Sequence, residues 1–110
     1  MSVLAIKLST LAGVAYSRVL AFERAGLINL PQDTDALSER IEQVKVKRLK
    51  AIRDLREREF SIKETRRILT VAEHPEATLE ELEADSSLAT KIQKHRGKLD
   101  EIESRLIQAS

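Results

Sequence analysis

The sequence is poor in several residue types, and each shortage excludes a class of structure or chemistry. None of its 110 residues is cysteine, which excludes disulfides, thiolate metal sites and thiol redox chemistry. Three glycines and two prolines are too few for a many-turned β-sandwich or barrel. One tyrosine and two phenylalanines leave the core to aliphatic side chains. The sequence contains no apolar run of about 18 residues, the length that would predict a membrane span. It also shows no secretory signal, so we expect a cytoplasmic protein.

Charged residues are abundant, nearly balanced and unevenly distributed. They make up 34% of the chain beside 42% hydrophobic residues, a composition typical of a helical protein with an aliphatic core rather than a disordered chain. Residues 1–70 carry a net charge of +5, whereas residues 71–110 carry −4. Only the first part is therefore suited to face a polyanion such as nucleic acid. The excess is mild, so it permits such binding without requiring it.

The spacing of apolar residues predicts an all-α chain that begins with two short helices. Helices are predicted over 4–12 and 16–25. Gly13 separates them, and Gly26 stops the second one, because glycine readily adopts the left-handed conformation of a sharp turn. Two short helices joined in this way predict a helix-turn-helix. Residues 29–35 are predicted to form a loop.

Two further helices are predicted in the middle of the chain. A long, basic helix covers 37–58. Ser61 to Glu64 is a capping box that begins a fourth helix, which ends before Pro75 because the residue preceding a proline resists helical geometry. Thr78 to Glu81 is a second capping box and opens a short acidic helix.

The clearest periodicity lies near the C-terminus, where one continuous helix is predicted over 87–108. Its apolar stripe alternates spacings of four and three, typical of a heptad coiled coil. The stripe consists of Leu88, Ile92, His95, Leu99, Ile102 and Leu106. A helix of about 33 Å has no partner in so short a chain to cover it, so the stripe predicts dimerisation of two copies. We hypothesise that His95, at a core position, weakens the dimer at acid pH because two charged imidazoles repel each other.

Several short segments resemble the MerR family of winged-helix regulators. They are Gly13-Val14, Phe22-Glu23-Arg24, Gly26-Leu27-Ile28, the segment 48–55, and Phe60-Ser61-Ile62 followed by residues 64–69. The resemblance covers about residues 5–108. It implies an all-α, winged helix-turn-helix DNA-binding domain over 1–76, and an acidic linker with a C-terminal dimerisation coiled-coil helix over 77–110. It also implies antiparallel pairing of the dimer helices.

The sequence departs from the family pattern at several positions. Leu20 and Ala21 stand where the family has an Arg-Tyr pair, and Phe22 lacks the tyrosine hydroxyl of the family. Glu59 replaces a glycine, and Ala15 replaces the serine that caps the recognition helix. Nothing between residues 31 and 41 matches the Gly-Tyr-Arg stretch of the first wing, so the wing is predicted to be reduced.

The second helix is the predicted DNA-recognition helix. Arg18 lies early in it, and its planar guanidinium matches two acceptors on a guanine edge; the alternative is an ordinary exposed arginine. Arg24 is equally suited to a phosphate contact and to a local ion pair with Glu23. The basic residues of the long helix either follow phosphates or form a solvated face. The complete predicted DNA-binding set is Tyr16, Ser17, Arg18, Arg24, Lys7, Thr10, Lys45 and Arg48.

The sequence offers little for catalysis or cofactor binding. His74 and His95 lack the surrounding ligands of a metal site, and the acidic run 73–85 lacks calcium-loop spacing. Because no phosphate-binding glycine loop, nucleophile elbow or pair of catalytic carboxylates is present, we expect neither an enzyme nor a cofactor.

These observations predict a cytoplasmic, nucleoid-associated transcriptional regulator that binds double-stranded DNA. It is expected to act as a homodimer on an inverted-repeat site, with a regulatory protein as a further possible partner and no membrane association. Two alternatives stay open. One is a phage or mobile-element DNA-architectural factor for excision or packaging, and the other is a helical protein-interaction module without DNA binding.

Overall fold

The computed structural model describes residues 3–30, 39–74 and 85–109, and within these ranges all regular secondary structure is α-helical, as predicted. The helices are α1 (Val3–Ala12), α2 (Tyr16–Arg24), α3 (Glu39–Glu57), α4 (Ile62–Glu73), α5 (Ser86–Lys94) and α6 (Arg96–Ala109). Most of the predicted reduced wing and the whole Thr78 to Glu81 capping box lie outside the described residues.

The chain divides into two compact units, Met1–Asp54 and Leu55–Ser110. Helix α3 supplies most of its length to the first unit and only its last residues to the second. The predicted boundary between residues 76 and 77 lies outside the described residues. It therefore stays a prediction.

The first unit begins with α1 packed against α2. Leu4, Ala5, Leu8 and Ala12 are buried on the inner face of α1, which follows the predicted spacing. Leu11, which the spacing also placed inward, is 51% exposed. The difference arises because Leu11, together with Lys7, lines an open cleft between α1 and α3.

Helix α2 ends in a Schellman turn at Gly26. The amide of Gly26 donates to the carbonyl of Glu23, and the amide of Leu27 donates to the carbonyl of Phe22, both at 3.0 Å. These are the two bonds that define the motif, in which the residue after the C-cap is left-handed. The φ of Gly26 is 75°. The predicted helix stop at this glycine is confirmed.

In the second unit the predicted capping box at the start of α4 is confirmed. The Ser61 hydroxyl accepts from the amide of Glu64 at 3.0 Å, and a Glu64 carboxylate oxygen accepts from the amide of Ser61 at 2.9 Å. Together these bonds satisfy two donors that a helix N-terminus leaves without partners. At the other end, His74 is the C-cap of α4, directly before Pro75.

The predicted continuous helix over 87–108 is wrong, because the chain breaks at His95. His95 has φ −115° and ψ 23°, which is not helical, and it separates α5 from α6. Its amide still bonds to the carbonyls of Lys91 and Ile92, at 3.1 and 3.2 Å. These bonds satisfy two of the last carbonyls of α5, and α6 begins directly after the break, at Arg96.

The stripe predicted to pair two copies of the protein is instead part of the core of the second unit. Helix α6 packs against α4 and α5, and the aliphatic members of the stripe are 0 to 7% exposed within the single chain. These members are Leu88, Ile92, Leu99, Ile102 and Leu106. The sixth member, His95, is half-buried, with its ring centroid 5.8 Å from that of Phe60. The inference that only a second copy could cover this stripe is therefore corrected: once the helix is broken, its own unit covers it.

No single helix among the described residues is long and apolar enough to cross a membrane; α1 and α2 meet the length and composition criteria only as a pair bent by 113°.

Candidate nucleic-acid interface

Helices α1 and α2 have the geometry of a helix-turn-helix. Their axes are bent by 113°, and only Gly13, Val14 and Ala15 lie between them. A helix-turn-helix joins its helices at about 90–120° through three or four residues, often with a glycine. Gly13 has φ 67°, the left-handed conformation that the sequence predicted for it. The amide of Val14 then bonds to the carbonyl of Ser9 at 3.2 Å, and the Ser9 hydroxyl donates to the carbonyl of Val14 at 2.6 Å.

Helix α2 presents a polar face to solvent and an apolar face to the core. Val19 and Phe22 are 0% and 5% exposed, because positions three apart lie on one side of a helix. Ser17, Arg18 and Arg24 are exposed, and Tyr16 is half-buried. The structure thus brings four predicted DNA-binding residues together on one helix, and three of them are exposed.

The exposed arginines of α2 differ in their surroundings. The guanidinium carbon of Arg18 lies 5.4 Å from the centroid of the Phe22 ring, within the range of a cation–π contact. Arg24 lies in the last turn of α2, where its charge is favourable to the helix dipole. Ala15 supplies no side-chain cap at the helix start, in line with its departure from the family serine.

The two predicted residues of α1 already have partners within the chain. Lys7 Nζ lies 2.9 Å from Glu42 Oε1 and is more than half exposed. The Thr10 hydroxyl donates to the carbonyl of Ile6, one turn earlier in the same helix, at 3.1 Å. Thr10 is exposed. Both side chains are therefore accessible, although Lys7 has its charge matched by a carboxylate.

Lys45 and Arg48 were expected to contact phosphates, but the structure places them on main-chain carbonyls. Lys45 Nζ donates to the carbonyl of Asn29 at 2.7 Å, and Arg48 Nε donates to the carbonyl of Leu27 at 2.6 Å. Burial lowers the pKa of Lys45, and the neighbouring charge of Arg48 lowers it further. Burial also lowers the pKa of Arg48. Both residues stabilise the chain segment that follows α2.

A third contact of the same kind was missed by the sequence reasoning. Arg53 Nη1 donates to the carbonyl of Ala12, the last residue of α1, at 3.1 Å. Arg53 also holds Asp54 Oδ1, with Nε and Nη2 at 3.3 and 3.2 Å. Asp54 is only 6% exposed. One feature of the sequence does point to this contact: Asp54 lies between Ile52 and Leu55 on a stretch of buried residues. A buried carboxylate needs a cation or hydrogen-bond donors nearby.

An open cleft of about 660 Å³ lies beside the helix-turn-helix, between α1 and α3. It is lined by Lys7, Leu11, Glu39, Glu42, Gln43, Val46, Lys47 and Lys50. Its charged side chains are of both signs, and Leu11 and Val46 are its aliphatic lining residues. Among the described residues no three histidine, aspartate or glutamate side chains are grouped to hold a metal ion.

A short glycine turn, a 113° crossing and a helix with one solvent-facing polar side together define the helix-turn-helix class of DNA-binding proteins. A family model described as MerR HTH family regulatory protein matches residues 7–71, more than half of the chain. This chain belongs to that family, which confirms the resemblance seen in the sequence. No curated protein and no solved structure gives a significant match. The matched segment runs from the middle of α1 to near the end of α4.

Proposed function

We propose that this protein is a sequence-specific DNA-binding transcription regulator that reads the major groove with α2. The observation that supports this most directly is the exposure of Ser17, Arg18 and Arg24 on the second helix of a helix-turn-helix. Membership of the MerR HTH regulatory family supports DNA binding and transcription regulation as the general role. The proposal involves no catalysis, no cofactor and a cytoplasmic place of action at the nucleoid.

Arg18 is the proposed base-reading residue. It lies in the first turn of α2, which is the part of a recognition helix that reaches base edges. Its contact with the Phe22 ring restricts the side chain before binding, so less conformational freedom is lost on the DNA. A bidentate contact to guanine discriminates against other bases by about 1–3 kcal/mol. Tyr16 and Ser17 are proposed to add contacts beside it.

Phosphate contacts are proposed for the exposed residues at the edge of this face. Arg24 at the end of α2, with Lys7 and Thr10 on α1, are accessible to the DNA backbone. Such contacts position the protein without carrying sequence information. Lys45 and Arg48 were predicted as further phosphate ligands, but their bonds to Asn29 and Leu27 support a different role, developed below.

The experiment that tests the proposal selects bound duplexes from a random pool and titrates them with wild type and Arg18→Ala. We expect the variant to bind the selected duplex with about 5- to 150-fold lower affinity, the equivalent of about 1–3 kcal/mol, and to relax preference at one base position. The matched control is Arg105→Ala, because Arg105 is an exposed arginine of α6. If both variants bind the selected duplex equally well, base reading by Arg18 is refuted.

A homodimer on an inverted-repeat site is the finer part of the proposal and rests on the family resemblance alone. The stripe that first suggested a second copy is buried inside the chain. Sedimentation of the protein with its selected duplex measures the stoichiometry. Two chains on a symmetric site would support the homodimer, whereas one chain on an asymmetric site would show that the protein binds as a monomer.

The same assays separate the alternative functions. Tandem occupancy with strong bending in a gel assay identifies a DNA-architectural factor for excision or packaging. If the protein binds no duplex even at low salt, it is an interaction module. The replacement of the family Arg-Tyr pair by Leu20 and Ala21 favours this alternative. A regulatory protein partner is a further prediction, because the proposal gives the chain no effector site of its own.

A further inference from the structure

Three cations of α3 bind main-chain carbonyls on both sides of the proposed recognition helix. Arg53 reaches the carbonyl of Ala12, just before the turn into α2. Arg48 and Lys45 reach the carbonyls of Leu27 and Asn29, just after α2. The three donor–acceptor distances are 3.1, 2.6 and 2.7 Å. All six residues belong to the first compact unit, so the contacts form within one body.

Two of the three carbonyls, those of Ala12 and Leu27, need a partner that their own helix does not supply, and the third, that of Asn29, belongs to an exposed residue. Ala12 is the final residue of α1, and the last carbonyls of a helix have no acceptor role within it. Leu27 follows the Schellman turn and is fully buried at 0% exposure. A charged donor gives a stronger bond to such a carbonyl than a neutral one. Each contact therefore fixes a point of the chain where α2 is entered or left.

The contact at the turn is the most constrained of the three. The guanidinium of Arg53 is held by the buried carboxylate of Asp54 through two nitrogens. A Cβ atom placed on Gly13 would lie 3.9 Å from Arg53 Nη1, so the guanidinium also packs directly beside the left-handed residue of the turn. Lysine lacks the planar fork that holds the carboxylate and the carbonyl at the same time.

We propose that Arg53, Arg48 and Lys45 are positioning residues, which hold α2 in the orientation needed for base reading and do not bind phosphates. This inference rests on the proposed DNA-binding function of α2. It assigns three of the basic residues of α3 to the protein backbone rather than to the DNA backbone. The partners of these three residues are the end of α1 and the chain segment that follows α2.

The two roles differ in how binding depends on salt and on sequence. A residue that binds a phosphate contributes about one unit to the slope of log affinity against log salt, and it weakens all duplexes alike when removed. A positioning residue releases no counterion, so its loss leaves the slope unchanged. Base edges are read only in correct geometry, so its loss lowers the affinity for the selected duplex more than that for random DNA.

The experiment compares Arg53→Lys and Lys45→Met with wild type on the selected duplex and on a random duplex, across a series of salt concentrations. Arg53→Lys keeps the charge and removes the fork, and Lys45→Met keeps an unbranched side chain and removes the charge. We expect the ratio of the two affinities to fall about tenfold while the salt slope stays at the wild-type value. The matched control is Lys47→Met, which removes a lysine that lines the α1–α3 cleft and should leave the ratio unchanged.

Hydrogen exchange of the free proteins provides a measurement that does not depend on DNA. In Arg53→Lys we expect the backbone amides of α2 to exchange faster than in wild type. The exchange rates of the amides of α4, which belongs to the other unit, should be unchanged. A salt slope lowered by about one in Lys45→Met, with the affinity ratio kept, would show a phosphate contact and overturn the inference. Unchanged exchange in α2 would also overturn it. If wild type binds no duplex, the proposed function fails, whereas the exchange result still decides whether these contacts fix α2.

Discussion

Both compact units end a helix with the same turn, but only the first unit uses glycine for it. After α2, Gly26 is left-handed with φ 75°, and after α3, Glu59 is left-handed with φ 67°. The turn at Glu59 has the same pair of bonds, from Glu59 to Arg56 and from Phe60 to Leu55, at 3.1 and 3.2 Å. The hydrogen bonds define the motif, and glycine only lowers its conformational cost.

The second unit holds its non-glycine turn through contacts from elsewhere in that unit. Phe60 is 0% exposed and anchors the residue after the turn. Arg56 Nη1 donates to the carbonyl of Phe60 at 2.6 Å, and Lys91 Nζ of α5 donates to the carbonyl of Glu59 at 3.0 Å. The comparison teaches that one turn is favoured locally by its glycine, whereas the other depends on tertiary packing that outweighs an unfavourable φ.

The largest expected effect comes from weakening the packing of the second unit. Ile102→Ala removes a side chain that is 1% exposed, so we expect a loss of about 2–5 kcal/mol of unfolding free energy. Because the side chain is buried within the chain, the loss should not depend on protein concentration. Urea unfolding at two concentrations measures both quantities. A loss that shrinks at high concentration would show an interface between copies instead; Ser104→Ala, at an exposed position of α6, is the neutral control.

A smaller loss is expected from adding a side chain to the glycine turn. Gly26→Ala forces a Cβ atom into the left-handed region and should destabilise the first unit by about 1 kcal/mol. Gly97→Ala is the matched control, because Gly97 is helical and its added Cβ would meet nothing within 4 Å. It should be neutral or stabilising by up to about 1 kcal/mol. Thermal unfolding compares the two; equal signs would contradict this account of Gly26.

The opposite change is expected at the turn of the second unit. Glu59→Gly relieves the left-handed conformation and should raise stability by about 0.5–1 kcal/mol, after the greater chain entropy of glycine is subtracted. Glu59→Ala removes the same charge while keeping the strained φ, so it separates the two causes. A Glu59→Ala variant as stable as Glu59→Gly would mean that the charge, not the backbone, set the cost.

The smallest effect concerns the charge of Glu64 in the same unit. Burial raises the pKa of Glu64, but hydrogen bonds from Lys91 and Ser61 and the charge of Lys91 lower it more, so the net shift is downward from 4.5. A carboxyl with a lowered pKa stabilises the fold above its ordinary pKa and loses that contribution as pH falls through the folded value. Glu64→Gln keeps a capping residue without the charge. Its stability deficit, a few tenths of a kcal/mol for a partly exposed pair, should shrink in urea unfolding as the pH falls from the ordinary pKa of a glutamate through the lowered pKa of Glu64; a constant deficit would contradict the charge-based account.

The sequence predicted the beginning of the fold better than its end. The turn at Gly13, the stop at Gly26 and the capping box at Ser61 involve hydrogen bonds between residues at most five apart, so local pattern carries the information. The same holds for the exposed face of α2, because a helix with buried Val19 and Phe22 has only one other side. The MerR resemblance rests on these segments, and the family match confirms it.

What only the tertiary structure decided was the partner of each group. Heptad spacing from Leu88 to Leu106 shows that a stripe is buried, but not that α4, α5 and α6 of the same chain bury it once His95 breaks the helix. The basic residues of α3 show that positive charge is present, but not whether these side chains bind phosphates or main-chain carbonyls. Arg53 finds Ala12 across 41 positions of sequence, and no local pattern encodes a meeting at that separation. Local chemistry determined which elements form, and packing in three dimensions determined what each of them contacts.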